Sequence, residues 1–230
     1  MTHPVSVQTA EHLTAERKYA DAADIYRSLL ENAENKTDAA LWCGLGRVLM
    51  QDQQFYDAID AFTTAAGLAP ENPEIMAALG DALATVHEYE EAKLWFEKAA
   101  SLADNIRYQF RAGDMLAYLG KYDEALVYYT LLSSKYPDNA DLLRNKGKVL
   151  HHLGRTTDAM NTILAEIQLR KDMVEKSPDD RCYVKLAVAY KRIGLWQEAE
   201  EAYAGAVSLA PENPEYHMCL GSARGMNNRT

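Results

Sequence analysis

At 230 residues, with 48% hydrophobic and 25% charged residues, the chain has the composition of a folded soluble protein. Its net charge of -10 speaks against a general nucleic-acid binder, and no apolar run approaches the ~20 residues needed to span a bilayer. Cys43, Cys182 and Cys219 are odd in number and far apart, which argues against a disulfide framework, and "MTHPVSVQTAEHL" lacks a signal-peptide pattern, so a cytoplasmic location is expected.

In chain order, the pairs Ala22/Tyr26, Ala58/Phe62, Ala92/Phe96, Ala125/Tyr129, Ala159/Ile163 and Ala199/Tyr203 set a small residue four before a large one. Successive alanines lie 36, 34, 33, 34 and 40 residues apart, the period of a stacked helix-turn-helix unit. The segments "ALWCGLGRVL" (40–49) and "YDAIDAFTTAAGLA" (56–69) place apolar or small residues at helical spacing. Leu45, Leu79, Leu186 and Leu220 share one position, and each is followed by a small residue (Gly46, Gly80, Ala187, Gly221) that lets two helices approach closely. "LAPENPE" occurs at 68–74 and again at 209–215. There Pro70 stops one helix, Asn72 suits an N-cap, Pro73 suits the first helical turn, and Glu74 favours the positive helix end.

One unit is longer than the rest. Between Ala159 and Pro178 the terminating proline comes seven residues late. Seven residues advance a helix by about 700°, close to two full turns, so a helix can lengthen without losing its buried face. The spacing predicts a long helix over 156–176 with Ile163, Ile167 and Val174 on one apolar stripe. That stripe fits either a protruding partner contact or a spacer packed on the next unit, and packing is the commoner use of such a stripe.

The residues Trp42, Leu45, Gly46, Phe55, Ala58, Phe62, Ala65 and Pro70 carry a resemblance to the tetratricopeptide repeat (TPR) family, and the pattern recurs along nearly the whole chain. The resemblance implies an all-α fold, a right-handed superhelical solenoid of antiparallel helix pairs. Its register gives six repeats over 3–213, at 3–38, 39–72, 73–105, 106–139, 140–179 (with the elongated second helix) and 180–213. Residues 214–223 read as the first helix of a partial seventh repeat or capping helix, with a tail to 230. Arg224 stands where earlier repeats have Leu49, Leu83 or Leu116, which predicts a frayed, exposed end.

Positions two, five, nine, twelve and thirteen of each first helix form a stripe at helical spacing. The resemblance implies that this stripe lines a concave groove holding an extended peptide or a partner helix. Read along the chain, the stripe and its edge turn basic in repeats four to six. Repeat four offers Arg107, Phe110, Arg111 and Tyr118; repeat five offers Asp141, Arg144, Asn145, Lys148, His151 and His152; repeat six offers Arg181, Lys185, Lys191 and Arg192. Asn145, Arg181 and Lys185 resemble three positions of the carboxylate clamp of chaperone-binding relatives, while Phe110 and Asp114 depart from the other two. Fixed cations there would attract an acidic peptide or a C-terminal carboxylate.

Chemistry finds little support in the pattern. Adjacent His151 and His152 point about 100° apart on a helix and are poorly placed to share one metal. Gly44 and Gly46 form a GxG inside a helix without a third glycine, and no phosphate loop, metalloprotease motif or nucleophile elbow occurs. The expectation is therefore a non-enzymatic scaffold or adaptor with no cofactor, no metal and no membrane or nucleic-acid partner. It would bind a protein or peptide in the groove of repeats four to six. Self-assembly by stacking of terminal repeats is the competing expectation.

Overall fold

The computed structural model describes residues 6–32 and 34–229; the first residues of the expected repeat 3–38 and the end of the expected tail fall outside them. Among the described residues there are thirteen α-helices, one short 3-10 turn at Asn35–Thr37, and no strand. Compact unit Met1–Lys121 holds α1 (Val7–Ala15), α2 (Tyr19–Glu31), α3 (Ala39–Gln51), α4 (Phe55–Leu68), α5 (Pro73–Thr85), α6 (Tyr89–Leu102) and α7 (Ile106–Tyr118). Compact unit Tyr122–Thr230 holds α8 (Tyr122–Lys135), α9 (Ala140–His152), α10 (Thr156–Lys176), α11 (Asp180–Arg192), α12 (Trp196–Leu209) and α13 (Pro214–Asn227). Within each unit, helices that follow one another in the chain pack together.

The helix starts and turns repeat in a strict alternation. Every odd-numbered helix begins with a side chain that accepts hydrogen bonds from otherwise orphaned backbone N–H groups: Ser6, Asp38, Asn72, Asn105, Asn139, Asp179 and Asn213. Two residues after each odd helix from α1 to α11 ends, the backbone takes positive φ, at Arg17, Gln53, His87, Gly120, Gly154 and Gly194. The three glycines adopt that conformation without a Cβ penalty.

In the first unit, small and aromatic residues make the contacts between paired helices. Phe62 and Phe96 are buried, as are Ala58 and Ala92 one turn earlier. A Cβ on Gly46 would stand 2.8 Å from the Phe62 ring, and one on Gly80 would stand 3.0 Å from the Phe96 ring. These glycines permit a helix approach that an alanine would obstruct.

In the second unit, α10 has 21 residues, against 13 or 14 in each of the other five helices. Its Ile163, Ile167 and Val174 join Leu186, Ala187 and Ala189 of α11, Ala202 and Tyr203 of α12, and Leu220 and Ala223 of α13 in one core cluster. The apolar stripe of α10 is thus a packing face on the following helices. The end near Arg224 is exposed as expected, but it is not frayed. Helix α13 continues to Asn227, Arg224 Nε donates to Glu200 Oε1 at 2.9 Å, and Asn227 donates to Oε2 of the same carboxylate at 3.0 Å. An arginine in place of leucine does not fray the helix, because its long side chain reaches back to α12 while Leu220 and Ala223 hold the buried face.

Candidate protein-interaction face

Helix α9 begins at the Asn139 cap, which accepts from the N–H groups of Asp141 and Leu142 at 3.1 and 3.2 Å. The cap fixes the first turn, so Asp141 projects beside α10 and α11. Its carboxylate accepts from Arg170 Nη2 of α10 at 2.9 Å through Oδ1 and from Lys185 Nζ of α11 at 3.2 Å through Oδ2. Arg144 Nη1, one turn along α9, lies 3.4 Å from Oδ1. Partial burial pushes the Asp141 carboxyl upward, but the Arg170 hydrogen bond and the Arg144 and Lys185 charges outweigh it and hold it below the usual carboxylate range.

A deeper tier lies beneath. Arg170 Nε donates to Glu166 Oε1 at 2.8 Å, and Arg192 Nη1 donates to Glu166 Oε2 at 2.6 Å. Glu166 is 1% exposed and Arg170 is 3% exposed. Both Glu166 oxygens are taken by guanidinium groups, the arrangement a buried charge requires. Arg192 also reaches the Arg144 carbonyl oxygen at 3.4 Å, and the end of its side chain lies over Gly147. A side chain on Gly147 would occupy that space.

The network thus joins α9, α10 and α11 through Asp141, Arg144, Glu166, Arg170, Lys185 and Arg192. It brings together four residues of the predicted stripe and its edge: Asp141, Arg144, Lys185 and Arg192. Glu166 and Arg170 were missed, although a signal was available. Glu166 lies three residues after Ile163, and Arg170 three after Ile167 and four before Val174, on the same helical face as the buried stripe. Two charges on a buried face predict a pair.

The remaining sequence-selected residues have other surroundings. His152 stacks on Tyr122 with ring centroids 4.6 Å apart, and His151 lies edge-on to His152 at 6.3 Å. Lys191 Nζ is 5.9 Å from the Tyr203 ring, and Arg144 Nε is 3.4 Å from Asn145 Oδ1. Lys148 sits on α9, and Arg181 in the first turn of α11, where its N–H is capped by Asp179. In the first unit, Arg111 donates through Nε to Asp81 Oδ1 at 3.0 Å and lies 5.1 Å from the Phe96 ring, and Phe110 sits beside it on α7. Tyr118 is exposed and stacks on Tyr89 at 5.0 Å. Arg107 lines an open depression of about 580 Å³ with Arg47, Gln51, Glu74 and Tyr108. Cys43 is buried, and burial pushes its thiol up, opposite to what a nucleophile needs. Among the described residues, no group of three or more His, Cys, Asp or Glu side chains is placed to hold a metal ion. No described helix is long and apolar enough to cross a membrane.

Sequence comparison finds tetratricopeptide repeats at residues 43–105 and 110–179, more than half of the chain, and again at 183–215. The chain belongs to the tetratricopeptide repeat family. The fold agrees: many solved structures match this all-α helical repeat. Among them is YrrB, described as a TPR protein with an unusual peptide-binding site, at 23% identity over 72% of this chain and 85% of that one, with a TM-score of 0.62. A structure of MamA matches at 16% identity over 76% of this chain and 99% of that one, with a TM-score of 0.67. A TPR protein from Parabacteroides merdae matches at 16% identity over 95% of this chain and 82% of that one, with a TM-score of 0.66. No curated protein matches the sequence. This TPR chain is a scaffold of the kind that binds protein or peptide partners.

Proposed function

We propose that the protein is a non-enzymatic adaptor that docks an acidic protein segment or peptide on the basic face of α9 and α11. One observation carries the reading. Four cations (Arg144, Arg170, Lys185 and Arg192) converge on only two carboxylates, Asp141 and Glu166, leaving a local excess of two positive charges. Arg181 and Lys191 stand on α11 beside this network, with Asp179 and Asp180 at the start of the same helix. A cationic surface built on rigid helices attracts carboxylates and speeds their approach. YrrB lends support of a general kind, as a relative in fold that is described with a peptide-binding site.

The test is fluorescence anisotropy with a labelled hexaglutamate peptide at low and high salt. Lys148→Glu and Lys185→Glu should each weaken binding by roughly 10-fold or more, and salt should weaken the wild type. Binding indifferent to both changes sinks the reading. Self-assembly through the terminal helices remains the rival, and light scattering of the intact protein across a concentration series tests it. A monomer throughout removes it.

A further inference from the structure

We propose that Asp141 is a built-in competitor for the acidic ligand and sets how tightly the α9–α11 face binds it. This rests on the docking reading above. The two carboxylates of the network are not equivalent. Glu166 is 1% exposed and has both oxygens engaged by Arg170 and Arg192, so no ligand reaches it and none replaces it. The Asp141 side chain is 38% exposed and sits among the outward groups, with Arg144 at 32% and Lys185 at 45%. Asp141 therefore does from within what a ligand carboxylate would do from outside: it accepts from Lys185 and faces Arg144. An incoming carboxylate must share or displace it, and its negative charge repels that approach.

The chain repeats the device in the first unit. There Asp81 of α5 accepts from Arg111 of α7, which like Lys185 lies at the edge of the predicted groove stripe, at 3.0 Å. In both units an aspartate on one odd-numbered helix neutralises a cation on the next. This tempers a basic surface without removing its cations, which favours ligands with several carboxylates over those with one.

Asp141→Asn is the discriminating variant. It keeps the shape and an oxygen for Arg170, and it removes the charge. The intact protein is titrated with labelled hexaglutamate, and with hexalysine as the sign control, in wild type, Asp141→Asn and Lys185→Glu forms. Asp141→Asn should bind hexaglutamate roughly 10-fold more tightly than wild type at low salt, with the gain shrinking as salt rises. Lys185→Glu should weaken it. If wild type binds, Lys185→Glu weakens binding, and Asp141→Asn gains nothing, the competitor role is wrong and the docking reading stands. If neither wild type nor Asp141→Asn binds hexaglutamate, the docking reading falls and takes this one with it. Melting curves establish that each variant is folded. Asp141→Ser makes the same charge change should the asparagine form fail to fold, and is read against the same outcomes.

Discussion

Between α3 and α4, and between α5 and α6, the helices meet through a glycine under a phenylalanine ring: Gly46 with Phe62, and Gly80 with Phe96. Between α9 and α10 the corresponding glycine, Gly147, lies under the end of the Arg192 side chain and near Ile163 instead. In the first unit these two helix pairs meet through apolar shape; among the described residues its buried side chains include no charged one, and its Asp81–Arg111 pair is exposed, whereas the other unit buries Glu166 and Arg170. The lesson is that one repeat geometry can be held by two kinds of chemistry. Where an aromatic is replaced by the smaller Ile163, a guanidinium from the next helix pair fills the space, and a carboxylate must follow it inside.

The largest expected effect attacks the polar fastening. Glu166→Ala would leave Arg170 buried beside a single remaining carboxylate, and should cost about 3–5 kcal/mol in denaturant unfolding. Glu166→Leu combined with Arg170→Met should recover a large part of that loss, because a well-packed apolar pair avoids the desolvation of two charges. If the double variant is as unstable as Glu166→Ala, the cost lies outside the Glu166–Arg170 pair, in packing or in Arg192 left without its carboxylate, and the contrast between the units weakens.

The glycines give a paired and smaller test. Gly46→Ala would place its Cβ 2.8 Å from an enclosed ring and should destabilise by about 1–3 kcal/mol. Gly147→Ala meets the far end of a flexible arginine at 3.0 Å, which can shift, and helix propensity favours alanine by about 0.5–1 kcal/mol. Its stability should stay within about 1 kcal/mol of wild type. Equal losses at the two sites would erase the distinction.

The smallest effect is in pH dependence. The Asp141 carboxyl is held below its ordinary value in the fold, so its contribution is complete above the unfolded value of about 3.9 and is lost as pH falls through the depressed folded value. Stability measured from pH 5 downward should therefore decline less in Asp141→Asn than in wild type. Identical acid profiles would mean that Asp141 contributes nothing to that slope.

Much of the fold was legible in the sequence because its determinants are local and recur. Alanine four before a large side chain, an Asn or Asp before the odd-numbered helices from α3 on, and a period near 34 residues each point to paired helices. The late Pro178 accords with a helix two turns longer, since only whole turns keep Ile163, Ile167 and Val174 on one face. The candidate face was legible only in its list of cations. The stripe and its edge contain Arg144, Lys185 and Arg192, yet the sequence assigned them all to an incoming ligand, because spacing shows where a charge lies along its own helix and nothing of what faces it.

The amino-acid sequence by itself determined the helices, their caps, their turns and the membership of this chain among TPR proteins, since each depends on a few neighbours and is written many times. Only the tertiary structure decided which charges are satisfied within the protein. Asp141 and Lys185 lie 44 residues apart, and Glu166 and Arg192 lie 26 apart. Whether such pairs meet depends on how α9, α10 and α11 pack. A charge that is free on one helix becomes a fastening or a competitor only when the next helix is in place.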